Sequence, residues 1–148
     1  MTSERLTEIV LMIDPDAAIT PNGIEITIED IPVLIVMAPS ADRMRAMVPI
    51  ASLEDVSAEE MTRMMQANFD TALDARYAVA QDRVWGVYIH PLAALERAEF
   101  LSGIAQTVNL ARSYGSTYSG GAQVFGGGDS NGIYEDLLQD LLDRGQDI

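Results

Sequence analysis

The chain lacks several residue types on which common active sites and metal sites depend. It has no cysteine and a single histidine, His90, among its 148 residues. Without cysteine there are no disulfides, thiolate zinc sites or cysteine nucleophiles. One histidine leaves no basis for a credible Ser–His triad. We therefore predict no catalytic, cofactor-binding or metal-ligating residue, no cofactor and no enzymatic activity.

Lysine is also missing, and the charge is strongly of one sign. All nine basic residues are arginine, against 23 acidic residues, which gives a net charge of −14. Such a charge repels phosphate backbones and anionic membrane surfaces, so we expect neither nucleic acid nor membrane as a partner. By net charge alone, a basic partner is favoured.

Long apolar runs are absent as well. The longest spans residues 31–38 and contains Pro32, whereas a membrane-spanning helix needs about 20 apolar residues. The first residues include Glu4 and Glu8 and do not resemble a secretory signal. We expect a cytoplasmic protein.

Hydrophobic periodicity predicts the first elements of the fold. Residues 3–13 carry apolar side chains at helical spacing, with Ser3 as the expected N-cap. Residues 24–28 alternate apolar and polar, as a strand with one exposed face does. Residues 33–38 and 43–50 flank a short turn, so we predict an antiparallel hairpin.

Residues 57–114 carry a second set of helical and hairpin patterns. Ser57 and Glu60 have the spacing of a capping box, and a helix should follow them. Residues 77–80 and 83–90 read as a second hairpin, and residues 96–114 as a long helix. We predict a two-layer α+β fold, an antiparallel sheet of about five strands with helices packed on it, in the order α-βββ-α-ββ-α.

Composition changes after residue 115 and divides the chain. Residues 1–115 form the predicted α+β domain, and the glycine- and serine-rich residues 116–132 read as a linker. Residues 133–148 read as a short acidic amphipathic tail helix. Its apolar side is expected to comprise Ile133, Leu137, Leu138 and Leu141.

Two sets of apolar residues are candidates for contacts with other proteins. Methionine is common on surfaces that accept varied partners. The candidate partner-binding residues lie in the first hairpin: Val33, Ile35, Met37, Met44 and Met47. The candidate dimer interface combines the second hairpin and the second helix: Trp85, Val87, Ile89, Met65 and Phe69. The second set is equally compatible with an internal core, whereas the methionines of the first hairpin are more open to a binding role.

Carboxylates are numerous enough to keep an acid–base enzyme as an alternative hypothesis. The adjacent pairs, such as Glu59 with Glu60 and Glu54 with Asp55, are explained by helix starts and turns. A glycosidase needs two carboxyl groups that face each other across a cleft. No motif in the sequence indicates such a pair.

The order of elements resembles the class I type III secretion chaperones, the Tir-chaperone-like (CesT-type) family. The resemblance covers residues 3–114. It rests on the segment PNGIEITI at 21–28, on VPIASL at 48–53, on MMQANF at 64–69 and on HPLAAL at 90–95. The last two are similar to the family's EANF-like helix signature and its RLPL-like segment.

The resemblance implies a homodimer without cofactor or reaction, in which each dimer holds an extended segment of a secreted effector. An extended chain can bind by strand addition and side-chain pockets. The alternative is a stand-alone regulatory or adaptor domain of the same fold, in which the tail helix is an internal or inter-protomer ligand. The linker and the tail lie outside the resemblance.

Overall fold

The computed structural model describes residues 1–70, 73–114 and 129–145, with side chains of the last segment described for residues 136–144. The helices are α1 (Ser3–Ile13), α2 (Ala58–Asp70), α3 (Arg97–Ser113) and α4 (Asp129–Gly145). The strands are β1 (Ala18–Thr20), β2 (Gly23–Ile28), β3 (Ile31–Ala38), β4 (Arg43–Ser52), β5 (Arg76–Ala80) and β6 (Arg83–His90). Short 3₁₀ turns cover Pro39–Ala41 and Leu53–Asp55.

The strands form one antiparallel sheet in the order β1-β2-β3-β4-β6-β5. The predicted α+β class is confirmed, and both predicted hairpins are present. The sheet has a sixth strand, β1, that the periodicity did not indicate. β1 has three residues, all exposed, so no buried alternation marks it in the sequence.

One face of the sheet carries the core. Side chains that point to this face alternate along each strand and pack beneath α1 and α3. From α3, Phe100, Leu101 and Ile104 are fully buried against it. The opposite face, which we call the outer face, carries the remaining side chains of each strand. Burial of the first face supplies the main stabilisation of the fold.

The helix caps agree with the sequence in one place and differ in another. The Ser57 hydroxyl accepts a hydrogen bond from the Glu60 amide at 3.1 Å, as the capping pattern predicts. At α1, however, Ser3 is the first helical residue and Thr2 is the N-cap, accepting from the Arg5 amide at 3.1 Å. Threonine and serine cap by the same hydroxyl acceptor, so the two positions are hard to separate by type alone.

Helix α4 covers most of the expected tail and packs against α3 and α1, but it begins at Asp129, within the segment expected to be linker (116–132). Leu137 and Leu141 are buried at 1% and 0% exposure, and Leu138 is half-buried. The Arg144 guanidinium donates to the carbonyl oxygen of Ile13, at the end of α1, at 3.5 Å. The side chain of Ile133 and residues 116–128 of the expected linker (116–132) lie outside the described residues.

Candidate functional site

The outer face of the sheet is an apolar surface at the level of β3, β4 and β6. Strand register places Leu34, Met47 and Val87 side by side in one row across these strands. Pro49 and Trp85 pair in the next row. These side chains are half-buried, and no helix packs over them in the part of the chain that the structure describes.

Trp85 is held in place on this face by its indole. Its Nε1–H donates to the carbonyl oxygen of Ala80 at 3.0 Å, at the last residue of β5 before the hairpin turn. Trp85 also lies opposite Ala78 of β5, whose small side chain leaves the indole face open. A fixed, half-exposed tryptophan is a typical anchor of a protein interface.

Helix α2 lies along the β5 edge and closes part of it. The Asn68 amide brackets Tyr77: its Nδ2 donates to the Tyr77 carbonyl at 3.1 Å, and its Oδ1 accepts from the Tyr77 amide at 2.8 Å. The side-chain amide therefore takes the place of a neighbouring strand. Since free strand edges invite pairing with other chains, this bracket also blocks strand addition at Tyr77.

The bracket sets the orientation of α2. Met64 and Ala67 are buried on the side of the helix layer. With 3.6 residues per turn, Met65 and Phe69 then project on the other side of Asn68, away from that layer. Their side chains are 47% and 91% exposed, so α2 presents an apolar stripe with no covering element among the described residues.

The structure separates the five predicted partner-binding residues. Val33, Ile35 and Met44 point to the helix-covered face and are buried in the core at 1%, 0% and 0% exposure. These three side chains are not exposed to solvent, so they are not part of the binding surface proposed below. Met37 lines a shallow groove beside Thr7 and Ile19, at the opposite edge of the sheet. Met47 alone lies on the outer face.

The five predicted dimer residues all reach the surface. Trp85, Val87 and Ile89 share the outer face, and Ile89 is 52% exposed. Met65 and Phe69 form the α2 stripe. The neighbours Leu34, Val36 and Pro49 were not predicted, because the residues of β3 are apolar on both faces and the sequence does not show which face the helices cover.

A cleft between α3 and β6 contains the chain's histidine. The cleft measures about 540 Å³ and is lined by residues that include Asp74, His90 and Glu99. His90 Nδ1 lies 2.8 Å from the Pro91 carbonyl oxygen, and its Nε2 lies 3.8 Å from Glu99 Oε2. The described residues hold no group of three or more candidate metal ligands.

Two tyrosines next to this region are neutral at physiological pH. Burial raises the pKa of Tyr77 to about 12, against a smaller lowering by the nearby Ser113 side chain. Burial also raises the pKa of Tyr88 to about 12, with Asp74 and Glu99 adding to the shift. Both phenols therefore remain protonated and act as packing groups against α3.

Comparison with known proteins identifies the fold and not a family. No protein-family model and no curated protein sequence matches the chain. Within the described ranges, no helix is long and apolar enough to cross a membrane.

Solved structures do match. A chain of the ExsC–ExsE complex superposes with a TM-score of 0.59 at 10% identity, covering 76% of this chain and 95% of the other. A chain of the HopA1–SchA chaperone–effector complex gives a TM-score of 0.56 at 9% identity, covering 77% and 97%. The chain therefore has a chaperone-like α+β fold, and each neighbour is matched almost over its whole length.

Proposed function

We propose that this chain is a non-enzymatic binding protein of the type III secretion chaperone type, which acts in the cytoplasm and holds an extended segment of a partner protein. The observation that carries the proposal is the outer face: a row of apolar side chains beside Trp85 that no described residue outside the sheet covers. Large uncovered apolar patches on soluble domains mark interaction sites. The neighbours ExsC–ExsE and HopA1–SchA are themselves complexes, the second of a chaperone with an effector.

The proposal is tested by affinity purification of the full chain from its native cells under mild cross-linking. One dominant protein should co-purify in fixed stoichiometry, as one chain per dimer. The same protein should be lost when Trp85→Glu is used as bait and retained with Ile19→Glu, which adds the same charge at an exposed apolar residue of β1. Recovery of the bare chain, or equal recovery with all three baits, would contradict the proposal.

The second part of the proposal is a homodimer through the α2 stripe. Phe69 is 91% exposed and Met65 is 47% exposed on the same side of one helix. A two-fold axis beside this helix would bury the stripe of each protomer against that of its partner. This arrangement assigns Met65 and Phe69 to the dimer and leaves Trp85, Val87 and Ile89 to the client.

We expect Phe69→Glu to convert the dimer to a monomer. Burying a phenylalanine on both sides of a two-fold interface contributes roughly 2–3 kcal/mol per copy, and a buried glutamate reverses the sign. Light scattering coupled to size exclusion measures the mass. Gln66→Glu, at an exposed polar position of the same helix, is the matched control and should stay dimeric. An unchanged mass for Phe69→Glu would remove the α2 stripe from the interface.

A second candidate function is favoured by the docking of α4. Leu137 and Leu141 are buried against α3 and α1 by a helix that follows a glycine-rich segment. An amphipathic helix seated in a groove of its own domain is the arrangement expected of an internal ligand. In this view the chain is a regulatory or adaptor domain whose tail competes with a partner for the groove.

We expect Leu141→Asp to release α4 without unfolding the sheet. A carboxylate cannot remain buried unpaired between α1 and α3, whereas the strands keep their own core. Hydrogen exchange should show loss of protection in α4 and retained protection in β4 and β6. Gln139→Asp, at an exposed position of the same helix, should leave α4 protected. Cooperative loss of protection in the whole domain would show that the tail is an integral part of the core.

The same variant separates the two candidate functions. If client affinity rises when α4 is released, the tail is an internal competitor and the regulatory reading stands. If client affinity is unchanged while Trp85→Glu abolishes it, the outer face carries binding and the tail is structural packing.

A further inference from the structure

The outer face is positively charged around its apolar centre, although the chain as a whole is strongly acidic. Arg43 and Arg45 lie on this face at one end of β4, next to Ile89 of β6. Arg83 lies at the opposite end of β6, and Arg76 lies at the β5 edge in the same row as Val87. All these arginines are exposed.

Carboxylates are almost missing from the same face. At the outer-face positions of the six strands, Glu25 on β2 is the one acidic side chain, at the far end of the row from Arg76. Other carboxylates lie in the turns and clefts beside the face: Asp42 before Arg43, Glu54 and Asp82 near Arg83, and Asp74 in the cleft that Arg76 also lines. The face therefore differs in sign from the rest of a molecule with net charge −14.

Two of these arginines are available to a partner. Arg45 and Arg83 have no ion pair with any carboxylate that the structure describes. By contrast, Arg5, Arg63 and Arg144 on the helices are paired with carboxylates of their own helices. An exposed arginine beside an apolar surface is suited to bidentate binding of a carboxylate.

The positive charge of the outer face also argues against a second copy of this chain as the molecule that binds there. An isologous pairing of two outer faces would bring the arginines of one protomer against those of the other, with Glu25 as the only acidic strand residue on each side. Like charges in a closing interface cost several kcal/mol. Nucleic acid fits poorly as well, because the centre of the face is apolar and the net charge repels phosphates.

We propose that the outer face binds an extended protein segment whose apolar side chains are flanked by acidic ones, with the apolar side chains on the row Leu34, Met47 and Val87 and beside Trp85. The acidic ones would reach Arg45 at one end and Arg83 at the other. The inference rests on the proposed binding function and names the chemistry of its client. It reverses the expectation from net charge alone, which favours a basic partner.

The test is selection of random displayed peptides of about a dozen residues on the immobilised full chain. The selected peptides should be enriched in aspartate and glutamate among apolar residues. A synthetic copy of the strongest peptide should bind more than about tenfold more weakly to Arg45→Glu than to wild type, and more weakly at high salt. Arg97→Glu, which makes the same charge change on the helix layer, should bind within about twofold of wild type.

The outcomes that would overturn the inference are distinct from those that would overturn the function. Selected peptides that are basic, or equal binding by the Arg45→Glu and Arg97→Glu proteins, would contradict the charge preference and leave a binding protein standing. Loosening of the dimer by Arg45→Glu in light scattering would assign the face to a second copy. Failure to select any peptide would overturn both the inference and the proposed function.

Discussion

Replacing Trp85 with glutamate is expected to abolish client binding and to leave the protein folded. Trp85 lies at the centre of the uncovered face and is fixed there by its hydrogen bond to Ala80. Loss of a central aromatic anchor costs at least about 2 kcal/mol of binding energy, and a desolvated glutamate adds to this. The dissociation constant should therefore rise by about 30-fold or more.

The fold should tolerate this change because Trp85 is only half-buried and points away from the core. We expect a loss of roughly 1–2 kcal/mol in the free energy of unfolding, from the hydrogen bond and the partial burial. Titration calorimetry with the captured client measures binding, and circular dichroism with thermal melting measures the fold. Ile19→Glu is the control. An unfolded Trp85→Glu protein would show that Trp85 is core; a folded one that binds normally would remove it from the site.

Replacing Gly103 with valine is expected to give the largest loss of stability. Gly103 is buried on α3 directly over the ring of Tyr88, and a Cβ at this position would lie 2.7 Å from Tyr88 Cγ and closer still to two further ring carbons. The ring is packed between α3 and the sheet and cannot withdraw without moving one of them. We expect the free energy of unfolding to fall by about 3–5 kcal/mol, the upper range for overpacking.

Chemical denaturation measures this loss, and two controls define its cause. Ile104→Val introduces the same residue one position later in α3 and should cost about 0.5–1.5 kcal/mol. In the Gly103→Val/Tyr88→Ala double variant, the combined loss should be smaller than the sum of the two single losses, because the clash has been removed. Additive losses, or a Gly103→Val protein as stable as Ile104→Val, would contradict the close approach of α3 to β6.

Much of the fold could be predicted because most elements have a one-sided pattern. The alternation at residues 24–28 and the Ser57–Glu60 spacing correspond to β2 and to the start of α2. β1 could not be predicted, because three exposed residues that pair with a hairpin neighbour carry no periodic signal. Such a strand forms only because β2 is already in place beside it.

The candidate site was less accessible to sequence reasoning, for a physical reason. In β3 both Val33 and Leu34 are apolar, and only the packing of α1 and α3 decides that Val33 is core and Leu34 is surface. The arginines at 43 and 45 alternate with the buried Met44, so a charged outer face was visible in the pattern of β4. The sequence does not show which residues of β3 and β6 the strand register places beside these arginines.

The most direct test of the account is oxidative footprinting of the captured client complex. Tryptophan and methionine side chains report their solvent exposure through hydroxyl-radical oxidation, and the outer face carries both in Trp85 and Met47. We predict that client binding lowers oxidation of Trp85 and Met47 severalfold. Met37, in the groove at the other edge of the sheet, should be unchanged. Unchanged oxidation of Trp85 and Met47 in the complex would contradict the assignment of the outer face as the binding surface.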